Sequence, residues 1–176
     1  MYLWIGCKLP ADYEREIRTL CLQKNESLGL DTVAFSLPQH ISLKISFDSP
    51  DTEKIIPYLE TFFAKLPPFE VKIKALEQRG NILWLTAEEN PILQQLHKEL
   101  DCILECQFQI PQHPFDRCFQ FHSTLFLDDD TEKIGKMAST LAAHAFARTL
   151  QVDTILLGIS QTGAAGDYRV VKEIKL

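Results

Sequence analysis

Polar and apolar positions alternate through "HISLKISF", the segment starting at His40. In a strand this puts His40, Ser42, Lys44 and Ser46 on one face and Ile41, Leu43, Ile45 and Phe47 on the other. The segment "QFHSTLFL" repeats the partition, with Gln120, His122, Thr124 and Phe126 on one face and Phe121, Ser123, Leu125 and Leu127 opposite. The surrounding pattern supplies the other elements. "YLWIGC" reads as an opening strand, and Pro10 begins a helix that reaches about Gly29, with Tyr13, Ile17, Leu20 and Cys21 on one face. "DTVAFSL" reads as a strand. "SPDTEKIIPYLETFFAKL" reads as a helix capped by Ser49, with Pro57 as a point of kinking. "FEVKIKAL" and "NILWLTA" form a hairpin around "EQRGN", and Asn90 with Pro91 opens a helix through Leu93, Leu96 and Leu100. "IPQHPFD" is a loop and "CFQFHSTLFL" a strand. "DDDTEKIGKMASTLAAHAFARTL" reads as a long helix with acidic residues at its positive end, and "VDTILLGIS" and "YRVVKEIKL" are closing strands around "QTGAAGD".

Each histidine strand is therefore followed by a helix, a strand, a turn or loop, and another strand. The expected fold is α+β: one bilobal, pseudo-symmetric domain over 1–176, with two antiparallel sheet lobes flanked by helices around a central groove. Each lobe contributes one histidine strand. Apolar residues make up 45% of the chain, enough to build a core, and charged residues 24%. The net charge of −6 argues against coating duplex nucleic acid, which needs a basic surface, but leaves room for a small or terminal phosphate held locally. Five cysteines form no zinc-type array and predict free thiols in a reducing compartment. No stretch approaches the roughly 18 apolar residues of a membrane span, and the first residues read as a strand rather than a leader, so a cytoplasmic protein is expected.

The two phrases share a histidine, any residue, a hydroxyl side chain and a leucine. An imidazole with an ordinary pKa of about 6.5 gives or takes a proton at neutral pH. Two of them flanking a phosphodiester divide the work, one drawing a proton from the attacking oxygen and the other protonating the leaving oxygen. A hydroxyl two residues on sits beside each ring and can donate to a non-bridging phosphate oxygen. No metal or other cofactor is required.

"HISL" and "HSTL" resemble the two H-x-[ST]-hydrophobic signatures of the 2H phosphoesterase superfamily, the 2′-5′ RNA ligase-like proteins and cyclic nucleotide phosphodiesterases. The resemblance covers nearly the whole chain and includes "ILWLTAEENPILQQLHKEL" and the closing strand–loop–strand. It implies His40 as acid, His122 as base, and Ser42 and Thr124 as holders of phosphate oxygens; the residues alone do not order the two histidine roles. It further implies a metal-independent phosphoesterase, a monomer, acting on 2′,3′-cyclic phosphate or 2′-5′ phosphodiester bonds in RNA ends or small cyclic nucleotides.

Three further side chains are candidates for substrate contact. Lys44 shares the polar face of the first phrase and can add positive potential to the groove. Arg117 precedes His122 and can reach a terminal phosphate. Tyr168 follows the "TGAAGD" loop and can stack on a base. His113 reads as a solvated loop residue, His97 and His144 as structural or exposed, and Cys118 as a packed thiol. A non-catalytic groove that binds a nucleotide or RNA end, and a structural protein with both phrases buried, remain alternatives.

Overall fold

The computed structural model describes residues 1–176. The chain runs β1 (Tyr2–Lys8), α1 (Ala11–Asn25), β2 (His40–Asp48), α2 (Thr52–Phe63), β3 (Phe69–Arg79), β4 (Ile82–Ala87), α3 (Pro91–Phe108), β5 (His122–Leu127), α4 (Thr131–Leu141), β6 (Arg148–Val152), β7 (Thr154–Ser160) and β8 (Arg169–Lys175). The strands form two four-stranded sheets in the orders β2-β1-β7-β8 and β5-β4-β3-β6, and every pairing is antiparallel. This is the expected mixed fold with one histidine strand in each sheet. No helix is long and apolar enough to cross a membrane.

The two sequence units are interleaved. The hairpin β3–β4 follows the first histidine strand along the chain but pairs with the second, β5. The hairpin β7–β8 follows the second histidine strand but joins the sheet of the first through β1. Each sheet thus combines the histidine strand of one unit with the hairpin of the other. One hydrophobic cluster of 37 buried residues takes in Leu3, Ile5 and Leu157 from the first sheet and Ile73, Leu85 and Leu125 from the second, so the lobes share a core.

Four departures from the sequence reading have an identifiable physical cause; besides these, α1 ends at Asn25 rather than near Gly29, and β5 begins at His122 rather than Cys118. "DTVAFSL" is a 3₁₀ turn at Val33–Ser36 rather than a strand. The Asp31 side chain accepts from Val33 N, and Arg18 donates to the carbonyls of Phe35 and Leu37, which takes these backbone groups away from any ladder. Helix α2 is capped by Asp51, whose side chain accepts from Lys54 N, and not by Ser49. The β3–β4 turn is only Gly80–Asn81, because β3 continues to Arg79. The last long helix stops at Leu141, and "RTLQV" instead becomes β6, which pairs with β3. An alanine-rich run favours helix locally, but Leu150 and Val152 gain burial from the sheet edge, and tertiary packing overrides propensity. Asn90 caps α3 as expected, accepting from Ile92 N and Leu93 N.

Candidate active site

The two histidines stand at the first residues of β2 and β5, and both line one cleft of about 260 Å³. Their local geometry is the same. The Nδ1–H of His40 donates to Pro38 O at 2.8 Å, and the Nδ1–H of His122 donates to Gln120 O at 2.7 Å. In both cases the acceptor is the carbonyl two residues back. This fixes the tautomer and leaves each Nε2 clear of that hydrogen bond. Burial holds both imidazoles below their ordinary pKa; for His40 the carbonyl of Pro38 pulls the other way, and the neighbouring His122 lowers it further.

The leucine shared by the two phrases has a structural role of its own. In β1–β2 the register passes from Gly6↔Ser42 to Ile5↔Lys44, leaving Leu43 unpaired. In β4–β5 it passes from Trp84↔Thr124 to Leu83↔Phe126, leaving Leu125 unpaired. Both leucines are therefore β-bulges with fully buried side chains. Beyond each bulge the simple alternation of faces breaks. Phe126 enters the core, and Leu127 and Ile45 border the groove instead. The bulge bends each strand immediately after its histidine and hydroxyl pair.

Each imidazole rests on a tryptophan from the adjacent strand. Trp4 stacks on His40 with ring centroids 4.3 Å apart, and Trp84 packs on His122 at 3.9 Å. Trp4 lies flat because two glycines leave it room. A Cβ at Gly158 would fall 2.1 Å from its Nε1, and one at Gly6 would fall 2.6 Å from His40 Cδ2. The strand patterns single out neither tryptophan, although "YLWIG" and "ILWLT" each centre a tryptophan on a strand, a second likeness between the halves. The two are not equivalent by register: Trp84 lies opposite Thr124, whereas the residue opposite Ser42 is Gly6. The indole Nε1 of both, and the Tyr168 hydroxyl, are buried with no hydrogen-bond partner in the chain. Unpaired buried donors cost about 1–3 kcal/mol each; Trp4 and Tyr168 line the imidazole cleft, and Trp84 packs on His122.

The remaining candidates fall into three groups. Ser42 and Tyr168 line the imidazole cleft, and Thr124 lines an adjoining cleft of about 430 Å³ that shares Leu37, His40, Ser46 and Tyr168 with the first. Tyr168 is set by its loop, where Asp167 accepts from the backbone of Thr162 and Gln161 and the hydroxyls of Ser160 and Thr162, contacts that hold its carboxyl down at about 2. Lys44, expected to add positive potential to the groove, lines the cleft but is paired. Its stem borders the cleft, but its Nζ sits 2.5 Å from both Asp101 and Asp116, and its side chain is 2% exposed. The cause is the bulge at Leu43, which turns Lys44 inward. Asp116 also receives Ile45 N, and the ring nitrogens of His97 lie 2.7 Å from Leu43 O and 3.0 Å from Asp116 O. This buried cluster ties β2 to α3 and to the segment before β5. Arg117 is exposed and lines a separate cleft beside Phe119, not the imidazole cleft. Cys118 is exposed rather than packed. No group of three or more His, Cys, Asp or Glu side chains is arranged to hold a metal ion.

Similar folds occur among solved structures. TT0787 of Thermus thermophilus is 19% identical with a TM-score of 0.64, over 100% of this chain and 98% of that one. LigT of E. coli complexed with 3′-AMP is 21% identical with a TM-score of 0.68, over 99% of this chain and 97% of that one. A structure described only as a phosphoesterase is 22% identical with a TM-score of 0.62, over 99% and 97% of the two chains. No curated protein matches the chain. The model of the 2′-5′ RNA ligase superfamily matches residues 12–164, a span that contains both histidine strands, and the chain belongs to that superfamily.

Proposed function

We propose that the chain is a phosphoesterase that opens 2′,3′-cyclic phosphates, or cleaves and forms 2′-5′ phosphodiesters, at RNA ends or in small nucleotides. The observation that carries the reading is the pair of imidazoles in one cleft, each with its Nδ1–H committed to a backbone carbonyl and its Nε2 left for proton transfer. In hydrolysis the neutral Nε2 of His122 takes a proton from water as the water oxygen bonds to phosphorus. The Nε2–H of His40 protonates the ribose oxygen as its bond to phosphorus breaks. One water is consumed and a phosphomonoester and a hydroxyl result. A 5′-hydroxyl in place of water gives a 2′-5′ linkage, and in the reverse direction the two histidines exchange roles.

Ser42 and Thr124 donate to the non-bridging oxygens, where charge builds in the transition state. Tyr168 forms the wall against which a base packs. Trp4 and Trp84 hold the rings in place and keep water from one face of each. Lys44 supports the strand through its carboxylate partners and does not touch phosphate.

A panel of 2′,3′-cyclic mononucleotides and 2′-5′-linked dinucleotides, assayed with EDTA present, tests the proposal. Turnover should persist with the chelator. His40→Ala and His122→Ala should each lose about 10²–10⁴-fold in kcat, the usual worth of one general acid or base. Strict dependence on a divalent metal, or nucleotide binding with no product, would overturn it.

A further inference from the structure

A second cleft, also of about 260 Å³, lies on the other side of Phe119, and the Phe119 ring lines both. That ring stands between His122, at a centroid distance of 6.3 Å, and His97, at 4.7 Å. Lys98, Arg117 and Gln94 line the second cleft and are exposed. Neither Lys98 nor Arg117 takes part in any of the salt bridges. The carboxylates of the same cleft are already saturated. Asp101 accepts from Lys44 and Gln112, and Asp116 accepts from Lys44, His113 N and Ile45 N. The two rim cations are therefore free to meet an anion.

The 3₁₀ turn Pro114–Cys118 carries a further feature. Its middle residue, Asp116, is buried and anchors the turn to β2 through Lys44 and Ile45 N. The residues on either side, Phe115 and Arg117, are consequently presented to solvent on a fixed base. Phe115 is 72% exposed, well above the next large apolar side chains at 45%. One exposed ring alone needs no explanation. An exposed ring on the turn beside this cleft, whose lining holds two unpaired cations and shares Phe119 with the imidazole cleft, matches how single-stranded nucleic acid is held: cations along the backbone and an aromatic face for a base.

We infer that this second cleft and its turn form an exosite for single-stranded RNA leading away from the reacting phosphate, with Lys98 and Arg117 on a backbone phosphate and Phe115 stacked on a base. The inference rests on the proposed function only for which phosphate reacts, and it makes the substrate a strand end rather than a free nucleotide. Pre-organisation by Asp116 keeps the ordering cost of the turn low.

The test is fluorescence anisotropy with a 5′-labelled RNA pentanucleotide ending in a 2′-phosphate, competed by a nucleoside 2′-monophosphate, for wild type and for Lys98→Ala, Arg117→Ala and Phe115→Ala. Thermal melts check that each variant is folded. The wild type should bind the strand roughly tenfold or more tightly than the mononucleotide, the worth of one stacked base and one phosphate contact. Lys98→Ala and Arg117→Ala should weaken strand binding and lower the slope of log affinity against log salt by about 0.7 for each phosphate no longer neutralised. Phe115→Ala should weaken it at unchanged slope. Equal affinity for strand and mononucleotide, or variants that bind the strand like wild type, would overturn the exosite. A protein that binds the strand through these residues and turns nothing over would overturn the catalytic proposal alone.

Discussion

Lys44→Met separates a structural lysine from a substrate-binding one. The Nζ lies between two carboxylates whose side chains are 11% and 0% exposed, and the substitution keeps the stem while removing the charge. Asp101 and Asp116 are then left buried without their cation. Stranding a buried charge in this way costs about 3–5 kcal/mol. For a chain of this length each kcal/mol shifts Tm by roughly 2–4 °C, so the melt should fall by about 6–20 °C at pH 7. Adding Asp116→Asn should recover part of the loss, because the two sites are coupled. The assay is calorimetry or circular dichroism at pH 7, with kcat and KM measured well below the melt. A variant that melts like wild type but shows a KM raised by orders of magnitude would refute the reasoning and return Lys44 to the phosphate.

Three other outcomes follow from the geometry. Because burial holds both imidazoles below their ordinary value, and activity needs one protonated and one neutral ring, kcat/KM should trace a bell centred below pH about 6.5. Bound phosphate favours the protonated rings, so the kcat bell should lie higher; a rate that rises steadily with pH would contradict this. Gly158→Ala should force the Trp4 indole off His40, visible as a change in tryptophan emission and a fall in kcat of roughly 10²-fold if the ring shifts by about 1 Å; an unchanged kcat would remove Trp4 from the argument. Asp167→Ala should untie the loop that carries Tyr168 and raise KM with little change in kcat. The Asp167 carboxyl is held at about 2, so it stays ionised and the tie stays intact across the range of the bell.

The legible part of this protein was local. The period-two pattern around His40 and His122 marked both strands and the faces of His40, Ser42, His122 and Thr124, and Asn90 marked the start of α3. What was not legible depends on partners far away in sequence. Nothing near "RTLQV" announces that Phe69–Ile73 waits to pair with it, so an alanine-rich helix ran on too far. The bulges at Leu43 and Leu125 exist only relative to β1 and β4, and without them Lys44 reads as a groove residue and Phe126 as a neighbour of His122. The tryptophans under the imidazoles come from the adjacent strands, and a pattern read along one strand does not see across to the next.

Each sheet is woven from both halves of the chain, and the two sheets are joined through one hydrophobic cluster. A clamshell motion that parted them would break no strand pairing but would have to open that shared core. The spacing of the two imidazoles is thus built in at folding rather than set by closure on the substrate. Admission and release fall to the margins of the cleft, chiefly the segment between Ser160 and Tyr168, and cutting the chain between its two units would dismantle both walls at once.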